Sequence, residues 1–257
     1  MNKLTVPMVV LGLAMIVAPA VADVVEIPAA KDNTLFESPD GSLSNGAGTR
    51  MFVGVTAQPN LRRALIAFDV AGHVPADSTI TGVTLTLQQV MSLAGGEPVS
   101  LHRAEQDWGE GDSVATGGQG AGGAAATGDA TWVHTFFDTE FWTTSGGDFA
   151  ATASATRTVV GFGSYSWSSD GMVTDVQGWL DDPASNFGWV LVGNETTPVT
   201  AKTFSTRESD SNPPVLAIEF EPPAGGNVPA ASTWGALALA LVLLTLATVT
   251  LRRRSVS

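Results

Sequence analysis

Over several short segments the chain alternates apolar and polar residues with a period of two, the pattern of strands that bury one face. Ala64, Ile66, Phe68 and Val70 share one side of RALIAFDV, and Val83, Leu85 and Leu87 oppose Thr84, Thr86 and Gln88 in TGVTLTLQQ. Leu216, Ile218 and Phe220 alternate with Ala217, Glu219 and Glu221. Shorter strands are predicted at 34–37, 50–55, 99–104, 188–193 and 202–206, each bounded by turn-forming residues. Roughly ten strands in one domain predict an all-β body of two packed antiparallel sheets. One segment has the helical period instead. In SSDGMVTDVQGWLDDP, Met172, Val173, Val176, Trp179 and Leu180 recur at three- and four-residue spacing, Ser169 or Asp170 can cap the start, and Pro183 follows the end. From 105 to 156 the chain has little period. There Trp132, Phe136, Phe137, Phe141 and Trp142 are expected to pin the segment onto a sheet edge or face, and the Gly/Ala run at 117–128 is expected to be mobile.

Two longer apolar runs flank this body. Lys3 precedes an apolar stretch at 4–18 and the small-x-small triplet Ala20-Val21-Ala22, which predicts a signal peptide over 1–22. A second run lies at 236–251 and ends at Arg252, Arg253 and Arg254. A helix over 234–251 would be about 27 Å long, close to a hydrocarbon layer of roughly 30 Å. The arginines favour the cytoplasmic side, leaving everything before the span outside the cell. The expected organisation is a signal peptide at 1–22, a β-rich body at 23–222, a linker and sorting motif at 223–233, a transmembrane helix at 234–251 and a basic tail at 252–257.

Charge and cysteine content narrow the partners. All 25 acidic residues lie in the body, whereas Lys3 and three arginines of the 12 basic residues do not, so the body carries a formal charge of −17. Such a surface repels nucleic acid and acidic polysaccharide unless cations intervene, and Ca²⁺, which takes oxygen ligands, is the expected cofactor. No cysteine is present, so neither disulfides nor thiolate metal sites contribute.

The phrase VPAASTWG at 228–235, followed by one span and a basic end, resembles the IPTL-CTERM and PEP-CTERM type sorting signals. The resemblance rests on Val228, Pro229, Ser232, Trp234 and Gly235 and implies cutting by an exosortase-type sorting transpeptidase near the motif. The body resembles the DNRLRE (disaggregatase-related) domain family. The matching phrases are NTLFES at Asn33, RRALIAFDV at Arg62, VPADSTITGVTLTL at Val74, DWGEG at Asp107, TDVQGWL at Thr174, NFGWVLVGNE at Asn186 and TFSTRES at Thr203. They cover nearly all of 31–220. The resemblance implies a jelly-roll β-sandwich and, as in members attached to polysaccharide-active enzymes, carbohydrate binding at the cell surface.

Candidate chemistry is sparse. Exposed indoles stack on sugar rings, and Trp108, Trp132, Trp142 and Trp167, in or beside irregular sequence, are the expected glycan-binding platform, whereas Trp179 and Trp189 sit in periodic segments and are expected in the core. In DWGEGD, Asp107, Glu110 and Asp112 could turn toward one Ca²⁺, although the spacing is not that of an EF-hand; Asp32, Asn33 and Glu37 form an alternative cluster. His73, His102 and His134 have no paired metal-ligand spacing, and Arg207 with Glu208 reads as an ion pair or a set of hydrogen bonds holding a strand end. Gly118, Gly120 and Gly123 satisfy GxGxxG with no strand before them, so a nucleotide site is rejected. A lyase could use Tyr165 with His134 or an arginine, and a hydrolase a carboxylate pair, but no spacing singles these out. The leading expectation is a non-catalytic surface protein that binds extracellular polysaccharide in adhesion or matrix. The alternatives are a polysaccharide lyase or hydrolase and a purely structural envelope component.

Overall fold

A computed structural model describes residues 22–92 and 95–223. The signal peptide up to residue 21, the sorting motif Val228, Pro229, Ser232, Trp234 and Gly235, the 234–251 span and the basic tail lie outside the described residues. Among the described residues, no helix is long and apolar enough to cross a membrane.

The body is mostly β and entirely antiparallel in its pairing. In chain order the main strands are β1 (Asp23–Pro28), β2 (Lys31–Phe36), β3 (Leu43–Ser44), β4 (Arg50–Val55), β5 (Leu61–Ala67), β6 (Thr79–Ser92) and β7 (Glu97–Arg103). After the short strands β8 (Gly123–Ala124), β9 (His134–Phe136) and β10 (Glu140–Phe141) come β11 (Ala155–Val159), β12 (Gly163–Trp167), helix α1 (Asp170–Asp181), β13 (Trp189–Val192), β14 (Lys202–Ser205) and β15 (Val215–Glu221). One curled sheet runs β1-β15-β6-β14-β4-β5-β13-β7-β11, with β12 added to β6 and β2 to β5.

The curl has a local cause. Residues 50–53 of β4 pair with β14, whereas Gly54 and Val55 pair with β5. Gly54 stands at the change of partner with φ +99, a backbone state that a side chain at this position would strain. Bent there, the sheet wraps both halves around one core. Ala64, Ile66, Phe68 and Val70 enter it as the alternation predicts, with Leu85, Leu87, Leu216 and Ile218 opposite.

The helix also forms where its period predicts. Ser169 caps it, its Oγ accepting from Met172 N at 3.1 Å. Met172, Val176, Trp179 and Leu180 are buried against the core, and the Gln177 side chain accepts from Ile80 N, tying the helix to the start of β6. Trp179 meets Trp189 edge-on at 4.6 Å between ring centroids, and Trp189 Nε1 donates to Asp175 of the same helix at 2.8 Å. Burial of both indoles agrees with their periodic positions. Replacing Trp189 with Ala would leave a cavity between Phe68 and Trp179, for an expected loss of about 3–5 kcal/mol in urea unfolding. A loss below about 1 kcal/mol would contradict this packing.

Candidate functional site

Both faces of β5 and β13 are buried. Ala64, Ile66, Trp189 and Leu191 face the main core, while Leu65, Ala67 and Val190 face the other way into a second apolar cluster. That cluster is completed by Leu35 of β2 and by Trp108, Ala130, Trp132 and Trp142 from the long irregular segment. The segment therefore lies over the outer face of the sheet, as expected for Trp132 and Trp142, although Phe141 stays exposed. Arg63 clamps it: its guanidinium donates to both Glu195 oxygens at 2.7 and 2.9 Å and to Gly146 O, and it lies 5.1 Å from the Trp132 and Phe149 rings.

Burial, of three indoles in this layer and of Trp167 in the main core, corrects the expected tryptophan platform. Trp108, Trp142 and Trp167 are 1, 5 and 1 % exposed and Trp132 is 9 %, so none offers a free ring face. Three of the indole N–H groups donate to backbone carbonyls at 2.9 Å: Trp108 to Phe187, Trp142 to Thr131 and Trp167 to Val99. For Trp108, Trp132 and Trp142 irregular sequence suggested solvent, but the apolar outer face of the sheet needed a cover, whereas Trp167 ends strand β12 and is buried in the main core. The run at 117–128, expected to be mobile, is also held. Leu43 pairs with Ala124, Arg62 donates through Nε and Nη2 to Gly120 O, and Asp129 accepts from Ala126 N at 2.6 Å. Burial pulls the Arg62 pKa down to about 10 and pushes the Asp129 carboxyl up.

Beside this held run lies a cleft of about 370 Å³. Its floor is a cross-strand row, with Thr203 of β14 paired to Phe52 of β4 on one side and Met91 of β6 on the other. Thr56, Thr116 and Gln119 supply hydroxyl and amide groups around it. Among the described residues, none lining this cleft is charged.

The acidic residues regroup in a way that sequence spacing does not show. Asp107, Glu110 and Asp112 do not form a common site: Asp107 pairs with Lys31 at 2.7 Å and Asp112 is exposed. The turn between them is fixed by close packing. Gly111 has φ +71, and a Cβ there would come within 1.6 Å of Asp129 Oδ1. Glu110 instead meets Asp32 of β2 and Glu208 after β14, with ligand-type oxygens of all three within 4.8 Å of one another. Asn33 and Glu37, grouped with Asp32 in the sequence, turn elsewhere: Asn33 Nδ2 donates to Ser44 and Glu110 O, and Glu37 accepts from Leu61 N.

Arg207 lies across the triad. Its Nε and Nη2 donate to the two Glu110 oxygens at 2.6 Å each, its backbone N donates to Asp32 Oδ2 at 2.8 Å, and Nε is 2.9 Å from Glu208 Oε1. The ion pair read from the sequence is present, with Glu110 as an additional partner. Those carboxylates hold the guanidinium firmly protonated, whereas burial pushes the Asp32 carboxyl well above, and Glu208 above, the usual carboxylate range. An oxygen-only donor set of this kind can hold a hard cation. No motif spacing links positions 32, 110 and 208, so only the fold brings Glu208 into the set.

The other candidate groups are occupied locally. His134 contacts Thr131 Oγ1 and lies against Phe137 and Phe141, His102 contacts Ala150 O, and His73 contacts Asp69 O. Tyr165 OH accepts from Val160 N and Gly161 N and donates to Gly161 O, fixing the connection between β11 and β12. Compared with known proteins, the chain matches no family model and no curated sequence. Because Trp142 is structural here, Trp142→Ala is expected to cost about 3–5 kcal/mol and to lower the melting temperature visibly. An unchanged melt would return this ring to the surface.

Proposed function

We propose that the chain is an exported, surface-held, non-catalytic module that binds a neutral extracellular polysaccharide in the cleft over β4, β14 and β6. In this reading the body is a DNRLRE-type jelly-roll sandwich. The signal peptide exports it, and the span and CTERM-type tail present it at the surface to an exosortase-type transpeptidase. The observation that carries the ligand class is the lining of the cleft: an apolar floor of Phe52 and Met91, a rim of hydroxyl and amide groups, and no charged side chain among the described residues. A neutral sugar ring has the complementary pattern, an apolar C–H face bordered by hydroxyls, and sites of this kind pair apolar walls with a few placed polar groups. A uronate or phosphate polymer would find no cation there and would meet a body of charge −17. Glycosidic hydrolysis needs two carboxylates open to the sugar, and among the described residues none lines this cleft; Asp32 of the triad is fully buried.

Glycan-array retention on the purified chain is expected to favour uncharged polysaccharides. Met91→Asp, which adds a charge at a partly exposed lining position, is expected to weaken retention at least about tenfold with the melting temperature unchanged. Retention of acidic glycans alone, or equal binding by the variant, would sink the assignment. Release of reducing ends or unsaturated products would favour the enzymatic alternative instead.

A further inference from the structure

We propose that Asp32, Glu110 and Glu208 form a Ca²⁺ site that fastens β2, the 105–154 segment and the loop after β14 to one another. The first support is convergence, with carboxylate oxygens from three remote parts of the chain within 4.8 Å. The second is independent of that clustering: Asp32 is 0 % exposed, and its Oδ1 has no hydrogen-bond partner; neither has the buried Oε2 of Glu208. Buried carboxylate oxygens without a donor are costly, and Asp32 uses only Oδ2, which accepts from Arg207 N.

Charge gives the valence. With all three ionised, the carboxylates face one guanidinium, that of Arg207, and two negative charges are left over among the described residues. The neighbouring cation, Lys31, is turned to Asp107 and Trp108 O. A divalent ion cancels the remainder, and a donor set of oxygens alone selects a hard one. Ca²⁺ fits better than Mg²⁺ because it accepts irregular geometry and completes its six to eight ligands with waters and carbonyls, whereas Mg²⁺ demands a near-ideal octahedron.

The test uses the purified chain stripped with a chelator and dialysed, titrated with CaCl₂ and with MgCl₂ in a calorimeter and in a melting assay. One Ca²⁺ per chain is expected, and at a hundredfold excess over Kd a melting-temperature rise of about 5–10 °C. Mg²⁺ is expected to do less. Asp32→Asn keeps the shape and can still accept from Arg207 N, so it is expected to fold, to melt no lower than the stripped parent and to lose the Ca²⁺ response. A stripped parent that ignores CaCl₂, an equal response to Mg²⁺, or an Asp32→Asn variant that still gains stability from CaCl₂ would each overturn the assignment. Glycan retention by the stripped protein is read separately, so failure here is distinguishable from failure of the cleft reading.

Discussion

Leu65, Val190 and Leu35 turn apolar side chains away from the main core, and water cannot be left against them at about 25 cal/mol per Å² of exposed apolar surface. The rest of the molecule follows from that constraint. A segment rich in glycine and poor in periodic pattern becomes ordered because its tryptophans cover this second face. Arg63 then fixes the cover from beneath, with its charge neutralised by Glu195 and its flat faces against Trp132 and Phe149. Covering the outer face also sets the position of the turn carrying Glu110 and of the run that walls the cleft. Both candidate sites are thus products of one act of burial.

Much of the fold was legible from residue patterns. Strands with a polar face and an apolar face, such as those around Leu85 and Leu216, appear where alternation puts them, and the helix begins at the serine expected to cap it. What escaped has physical reasons. β1, β11 and β12 are short strands with exposed residues, so no strong apolar rhythm marks them. β5 and β13 bury both faces, which makes Leu65 and Val190 look like interruptions when they are contacts to a second layer.

The candidate sites were less readable than the fold. Local sequence grouped Asp107 with Glu110 and Asp112, yet a turn through Gly109 and Gly111 sends them apart, and Lys31 takes the first of them. Glu208 is marked locally only as a partner of Arg207, because the other two carboxylates stand about 100 and 175 residues away in the chain and only tertiary structure can introduce them. The tryptophans were misread for a related reason. An indole is equally suited to stacking on a ligand and to sealing a protein layer, and the choice depends on what lies beneath it.

β15 lies between β1 and β6, so the last strand of the body is paired along both edges, six positions on one side and seven on the other. Any tension arriving through Glu221 along the strand axis is resisted by two hydrogen-bonded ladders in shear, and must break many bonds together where peeling would break them singly. A body built this way can be tugged from its carboxyl end without unravelling from that end first.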